Sequence, residues 1–194
     1  DISRRISIQC NPSFHIPAIY SVYSLKSLHA QKQQYPQNEA ESAFPGLFLG
    51  WDLRGRDPGN LGTMIRTAAA AGFDAIILLE GCVDIYNSKV TRSTVGCMFN
   101  IDLIQNLPNT KAVVDALKKA GFTLYAAHPR GGSCAIGEKF SQKNVIVIGN
   151  EANGITTAML HHCDKLLTIP MPGGTESLNA SVAAALMIYE VIRN

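Results

Sequence analysis

Three segments of this chain combine glycines with carboxamides, hydroxyls and a charged side chain. That combination suits a polar or anionic ligand held close to the backbone. The first reads Asp57-Pro58-Gly59-Asn60-Leu61-Gly62-Thr63-Met64-Ile65-Arg66-Thr67. A Gly-rich turn opens a helix there, with Asn60, Thr63 and Thr67 as polar groups near its start. Arg66, at i+6 from Asn60, carries a guanidinium that can grip a phosphate or carboxylate through two hydrogen bonds. An ordinary helix start with an exposed arginine has the same pattern. The second segment, Ile148-Gly149-Asn150-Glu151-Ala152-Asn153-Gly154-Ile155, joins one carboxylate and carboxamides to two glycines. Glu151 can bond a substrate hydroxyl or hold Arg66, and a plain polar loop fits as well. The third, Ile169-Pro170-Met171-Pro172-Gly173-Gly174-Thr175-Glu176-Ser177-Leu178-Asn179-Ala180-Ser181-Val182, runs straight into an apolar helix. Ser177 or Asn179 can cap that helix, face a ligand, or do both.

The elements that must position these segments are read from periodicity and turn residues. Strands are expected at 47–53, 75–79, 101–104, 122–127, 145–148 and 166–169, and helices at 60–71, 88–98, 110–120, 156–163 and 178–192. Strands alternating with helices predict an α/β fold, a mostly parallel sheet with helices on both faces. In such sheets ligands gather at the carboxyl ends of the strands, so the three segments should converge on one site.

Other chemistries lack their signatures. There is no GxxxxGK[ST] phosphate loop, no GxGxxG after the first strand and no GxSxG elbow. No His or Cys pair has metal-ligand spacing. The adjacent His161 and His162 point in different directions on a helix, so no metal is expected. The five cysteines (Cys10, Cys82, Cys97, Cys134, Cys163) are odd in number and scattered, as expected for reduced, mostly buried thiols of a cytoplasmic protein. No apolar run reaches the roughly 18–20 residues that span a bilayer, so no membrane partner is expected.

Together the three segments resemble the SpoU (TrmH-type) branch of the SPOUT RNA ribose 2′-O-methyltransferases. Asp-Pro-x-Asn-x-Gly-x-x-x-Arg is similar to its first motif. Gly149-Asn150-Glu151 with Gly154 is similar to its second, and Ile-Pro-Met…Ser-Leu-Asn-x-Ser-Val-Ala to its third. The stretch from Val83 to Ser93 looks like the ribosomal-RNA members. The resemblance covers about Leu47 to Ile192 and implies a C-terminal deep trefoil knot, a homodimer and S-adenosylmethionine as methyl donor. It also implies a catalytic set of Asn60, Arg66, Glu151, Ser177 and Asn179. The cofactor contacts it implies are Ala127, Gly149, Ile169, Met171 and Leu178. Ala152-Asn153 stands where the family often has a glycine after the glutamate.

The expected reaction is methyl transfer to a ribose 2′-hydroxyl, most of all in ribosomal RNA. The alternatives are a transfer-RNA 2′-O-methyltransferase and a non-catalytic RNA-binding module of the same fold. The 194 residues carry 17 Lys+Arg against 15 Asp+Glu, a net charge of +2, and 16% charged residues. A typical domain has about 25%, so a general polyanion binder is excluded. RNA contacts must come from placed groups, for which Arg54 and Arg56 beside the first motif, and Lys89 and Arg92 on one helix face, are the candidates. Residues 1–45, with the Gln-rich stretch 31–43, read as an extension, a linker or the stub of an RNA-binding domain. Residues 46–194 read as the methyltransferase domain. The chain opens on Asp1 without a signal-peptide pattern, as a fragment of a longer protein can.

Overall fold

The computed structural model describes residues 46–50, 58–79, 81–107, 110–150 and 153–193. Arg54, Arg56, Glu151 and the extension 1–45 lie outside the described residues. Seven strands are described, all in one parallel sheet: β1 (Gly46–Gly50), β2 (Ala75–Leu79), β3 (Asp102–Leu107), β4 (Thr123–Ala127), β5 (Ser133–Cys134), β6 (Asn144–Ile148) and β7 (Lys165–Thr168). Their order is β3-β2-β1-β6-β4-β7-β5. The helices are α1 (Pro58–Ala70), α2 (Ser88–Thr94), α3 (Thr110–Lys119), α4 (Thr157–Leu160) and α5 (Ala180–Arg193), with a 3-10 turn at Cys97–Phe99.

Side-chain alternation builds two cores. Ile76, Leu78, Tyr125, Ile146 and Ile148 face α1 and α5, where Leu61, Met64, Ile65, Ala184, Met187 and Ile188 meet them. Their chain neighbours Ala75, Ile77, Leu79, Leu124, Ala126, Val145 and Val147 face α3 and α4, against Val113, Val114, Leu117 and Met159. All five residues of β2 and of β6 are buried, as strands covered on both faces require. The α/β expectation holds.

Several expectations are corrected. Pro58 and Gly59 lie inside α1 rather than before it, since proline suits the first helical turn. The helix expected over 88–98 stops at Thr94, because Val95 (φ 51°) and Gly96 (φ 83°) both take left-handed backbone. The strand expected at 101–104 extends to Leu107. The helix expected over 156–163 is the single turn of α4, capped by the Thr156 hydroxyl, which accepts from Met159 N at 3.3 Å. β5 was not expected. The thiols are less buried than foreseen: Cys82, Cys97 and Cys163 are half-buried and Cys134 is exposed, and none of the four is in a disulfide among the described residues.

Two predictions arise from this frame. A β-branched residue in left-handed backbone is strained, and Val95 is exposed with nothing to gain from its side chain. Val95→Gly should therefore stabilise the fold by about 1 kcal/mol in urea titration. The second concerns Asp164, which ties α3 to β4. Its carboxylate accepts from Leu124 N and from Lys118 Nζ, both at 2.9 Å. Burial pushes its pKa up, but the Leu124 N–H and Lys118 outweigh that and hold it below the usual value. A depressed carboxyl contributes stability that is present above the unfolded pKa and is lost as pH falls through the folded one. Asp164→Asn should then unfold more readily than wild type at pH 7. The gap should close as pH drops below about 4 in thermal melts.

Candidate active site

The site lies where parallel strands end. Ala127 and His128 close β4, Ile148 and Gly149 close β6, and Leu167 and Ile169 flank the end of β7; all six line one cavity of about 330 Å³. The loop into α5 adds Met171, Ser177 and Leu178, and the loop after β6 adds Asn150, Asn153, Gly154 and Ile155. Volumes of about 300–1,000 Å³ are usual for small-ligand sites.

Backbone geometry shapes the walls. Gly149 has no room for a side chain: a Cβ there would stand 2.5 Å from Gly154 O and from Ile155 N. The two ends of the second segment are closed by an Asn150–Gly154 bridge, with Gly154 N donating to Asn150 O at 2.8 Å. Gly154 sits at φ 64°, which glycine adopts freely. Gly132 similarly lets the loop after β4 lie on β7, since a Cβ would meet Leu166 O at 2.5 Å.

The third segment is joined to the first through one side chain. Asn179 Oδ1 accepts from Ser181 N at 2.9 Å, Ser181 Oγ at 2.7 Å and Val182 N at 3.3 Å, so Asn179, not Ser177, caps α5. Its Nδ2 donates to Asn60 Oδ1 at 3.2 Å. One carboxamide therefore fixes the start of α5 and the start of α1 relative to each other. Asn179→Ala should cost about 1 kcal/mol through the lost cap. Asn179→Asp keeps the accepting oxygens but loses the donor to Asn60. It should melt near wild type while slowing the methyl transfer that the family resemblance implies, which separates scaffold from site.

The expected cofactor set Ala127, Gly149, Ile169, Met171 and Leu178 is brought together in the cavity wall, with Ser177 beside it. Asn60 and Asn179 are brought together by their hydrogen bond. Arg66 is exposed on α1 and is not among the lining residues. Lys89 and Arg92 are exposed on α2. Thr63 and Thr67 spend their hydroxyls within α1, donating to Gly59 O at 3.0 Å and Thr63 O at 2.9 Å. His128 and Pro129 were missed. Their position just past β4, the same place relative to a strand as the other segments, could have flagged them. The His128 Nδ1 lies 2.5 Å from Arg130 O, which fixes the ring over its own loop.

The family model described as "SpoU rRNA Methylase family" matches residues 54–189. The chain is 42% identical over 137 residues to the 23S rRNA (guanosine(2553)-2′-O)-methyltransferase RlmP of Bacillus subtilis, covering 70% of this chain and 54% of that protein. It is 34% identical over 145 residues to the 23S rRNA (uridine(2479)-2′-O)-methyltransferase of Streptomyces viridochromogenes, covering 72% and 50%. Among solved structures, the SpoU methyltransferase AviRb of Streptomyces viridochromogenes in complex with the cofactor AdoMet superposes with a TM-score of 0.69. It is 32% identical, over 83% of this chain and 60% of that one. The chain thus spans about half the length of these two curated relatives. With the family model matched across the cavity-forming strands and loops, the chain belongs to the SpoU rRNA methylase family.

Proposed function

We propose that this chain transfers a methyl group from S-adenosylmethionine to a ribose 2′-hydroxyl of RNA, ribosomal RNA in preference to transfer RNA. The observation that carries this reading is the convergence of Ala127, Gly149, Ile169, Met171 and Leu178 on one cavity at the strand ends. Its residues fit the cofactor. Ile148, Leu167, Ile169 and Leu178 offer apolar walls to a purine face. Asn150, Asn153 and Ser177 offer polar groups to its hydroxyls and charged end. The glycine at 149, which excludes a Cβ, leaves peptide groups at the wall. Bound there, the cofactor supplies a methyl group already activated as an electrophile by its sulfonium.

The chain's own contribution is positioning. Asn179 holds Asn60 at the edge of α1. Arg66, outside the cavity, pins an RNA phosphate and orients the ribose hydroxyl, with Asn60 and Glu151 steadying it. A guanidinium is a poor proton acceptor, so Arg66 at most shares the proton as the 2′-oxygen reacts. Arg54, Arg56, Lys89 and Arg92 hold further phosphates.

The same reading includes a homodimer, a knotted C-terminal part and a cytoplasmic location. Val182, Leu186, Tyr189 and Ile192 are exposed on α5, an apolar stripe suited to a second copy. The excursion between β4 and β6 is tied to α5, where Gly137 N donates to Glu190 Oε2 at 3.1 Å. β6 and β7 flank β4 on opposite sides. Both features suit a threaded C-terminal part. No described helix is long and apolar enough to cross a membrane. Calorimetry tests the cavity: S-adenosylhomocysteine should bind, and NAD and ATP should not. NAD binding without S-adenosylhomocysteine binding would overturn the reading.

A further inference from the structure

Gly62, two residues after Asn60, has no room for a side chain: a Cβ there would stand 2.6 Å from the carbonyl oxygen of Val90. α1 and α2 therefore meet backbone to backbone beside Asn60. α2 buries Val90 and Thr94 and leaves Lys89 and Arg92 exposed. Tyr86, just before α2, is 44% exposed, and Phe99, just after it, is 53% exposed. The left-handed pair Val95 and Gly96 reverses the chain and lays the turn carrying Phe99 back against α1. Between Tyr86 and Phe99 the chain holds two cations and no carboxylate. The nearby Asp84 accepts from Tyr86 N at 3.0 Å.

Exposed aromatic rings beside cations, next to a segment free of acids, match single-stranded nucleic acid. Its bases stack on rings regardless of sequence, and its phosphates pair with the cations. Bases inside a duplex are already stacked and cannot reach such rings. We infer that α2 and its flanks form a platform for unpaired nucleotides adjoining the target ribose. Tyr86 and Phe99 stack bases, and Lys89 and Arg92 hold the phosphates between them. This rests on the reading of the chain as an RNA methyltransferase and adds to it a preference for an unpaired target region. The close approach at Gly62 is what sets the platform beside Asn60.

The test uses the full chain, a short fluorescein-labelled oligoribonucleotide of mixed sequence, and the same strand in a duplex. Tyr86→Leu and Phe99→Leu keep an apolar side chain at exposed positions and remove the ring, with its hydroxyl at Tyr86. Each should weaken single-strand binding by about tenfold, and change duplex binding little. Melting temperature and S-adenosylhomocysteine affinity should stay at wild-type values. Lys89→Gln and Arg92→Gln should each flatten the salt dependence of binding. Leucine variants that bind the single strand like wild type overturn the platform, as do leucine variants that change only sedimentation, which would mark a protein interface. If wild type methylates ribosomal RNA while those variants are unaffected, the platform falls and the methyltransferase reading stands. If wild type binds neither RNA nor S-adenosylhomocysteine, both fall.

Discussion

Arg66→Ala lowers the methyl-transfer rate by about a hundredfold or more, while S-adenosylhomocysteine affinity stays within about twofold of wild type. The split follows from position. Arg66 is exposed on α1 and does not line the cavity. On the proposed reading its loss removes a group that holds RNA and orients the reacting hydroxyl, not one that holds the cofactor. Arg66→Lys keeps the charge but gives up the planar two-bond grip, so it should recover RNA affinity better than turnover. Single-turnover transfer with RNA binding measured separately checks both variants. Turnover left intact in Arg66→Ala would make the catalytic assignment wrong.

Gly149→Ala has the opposite profile: it should weaken S-adenosylhomocysteine binding by about tenfold to a hundredfold and leave RNA binding nearly unchanged. The added methyl has only backbone to push against, Gly154 O and Ile155 N, each at 2.5 Å from the new Cβ. Overpacking against groups that cannot rotate away costs about 1–3 kcal/mol. Here the strain is relieved by opening the loop that walls the cavity. Gly154→Ala is the matched control. Its Cβ would meet nothing within 4 Å, and its cost is conformational, from φ 64°, about 1–2 kcal/mol. Calorimetry and thermal melts of the two variants separate loss of cavity shape from loss of loop stability.

Much of this architecture was legible because burial on two faces leaves a plain mark. The runs at Ala75–Leu79 and Val145–Ile148 are apolar throughout, and both belong to inner strands of the sheet. Ala127, Gly149, Ile169, Met171 and Leu178 were expected through the family resemblance, and they line the cavity from strand ends and from the loop entering α5. What escaped detection lacks such marks. Ser133–Cys134 is exposed and apolar on neither face, and it becomes a strand only through backbone pairing with Leu167 and Thr168. Val95 ends α2 in a conformation that its β-branched side chain disfavours, so the sequence pattern carries the helix too far. The Asn60–Asn179 bond joins residues 119 apart, and periodicity says nothing about such a pair. The sequence could suggest that Asn179 caps or faces a ligand. The hydrogen bonds assign its oxygen to the cap and its nitrogen to the neighbouring segment. Arg66 could be singled out from sequence, but its exposed place outside the cavity could not.

On the proposed reading the reacting atom is a ribose 2′-oxygen in RNA. The most direct test of that reading is transfer of a labelled methyl group from S-adenosylmethionine to deproteinised ribosomal RNA, followed by alkaline hydrolysis. A 2′-O-methyl group removes the neighbouring nucleophile and protects the adjoining phosphodiester, so the label should emerge in alkali-resistant dinucleotides. Label released in mononucleotides would place the methyl group on a base and rule out ribose methylation.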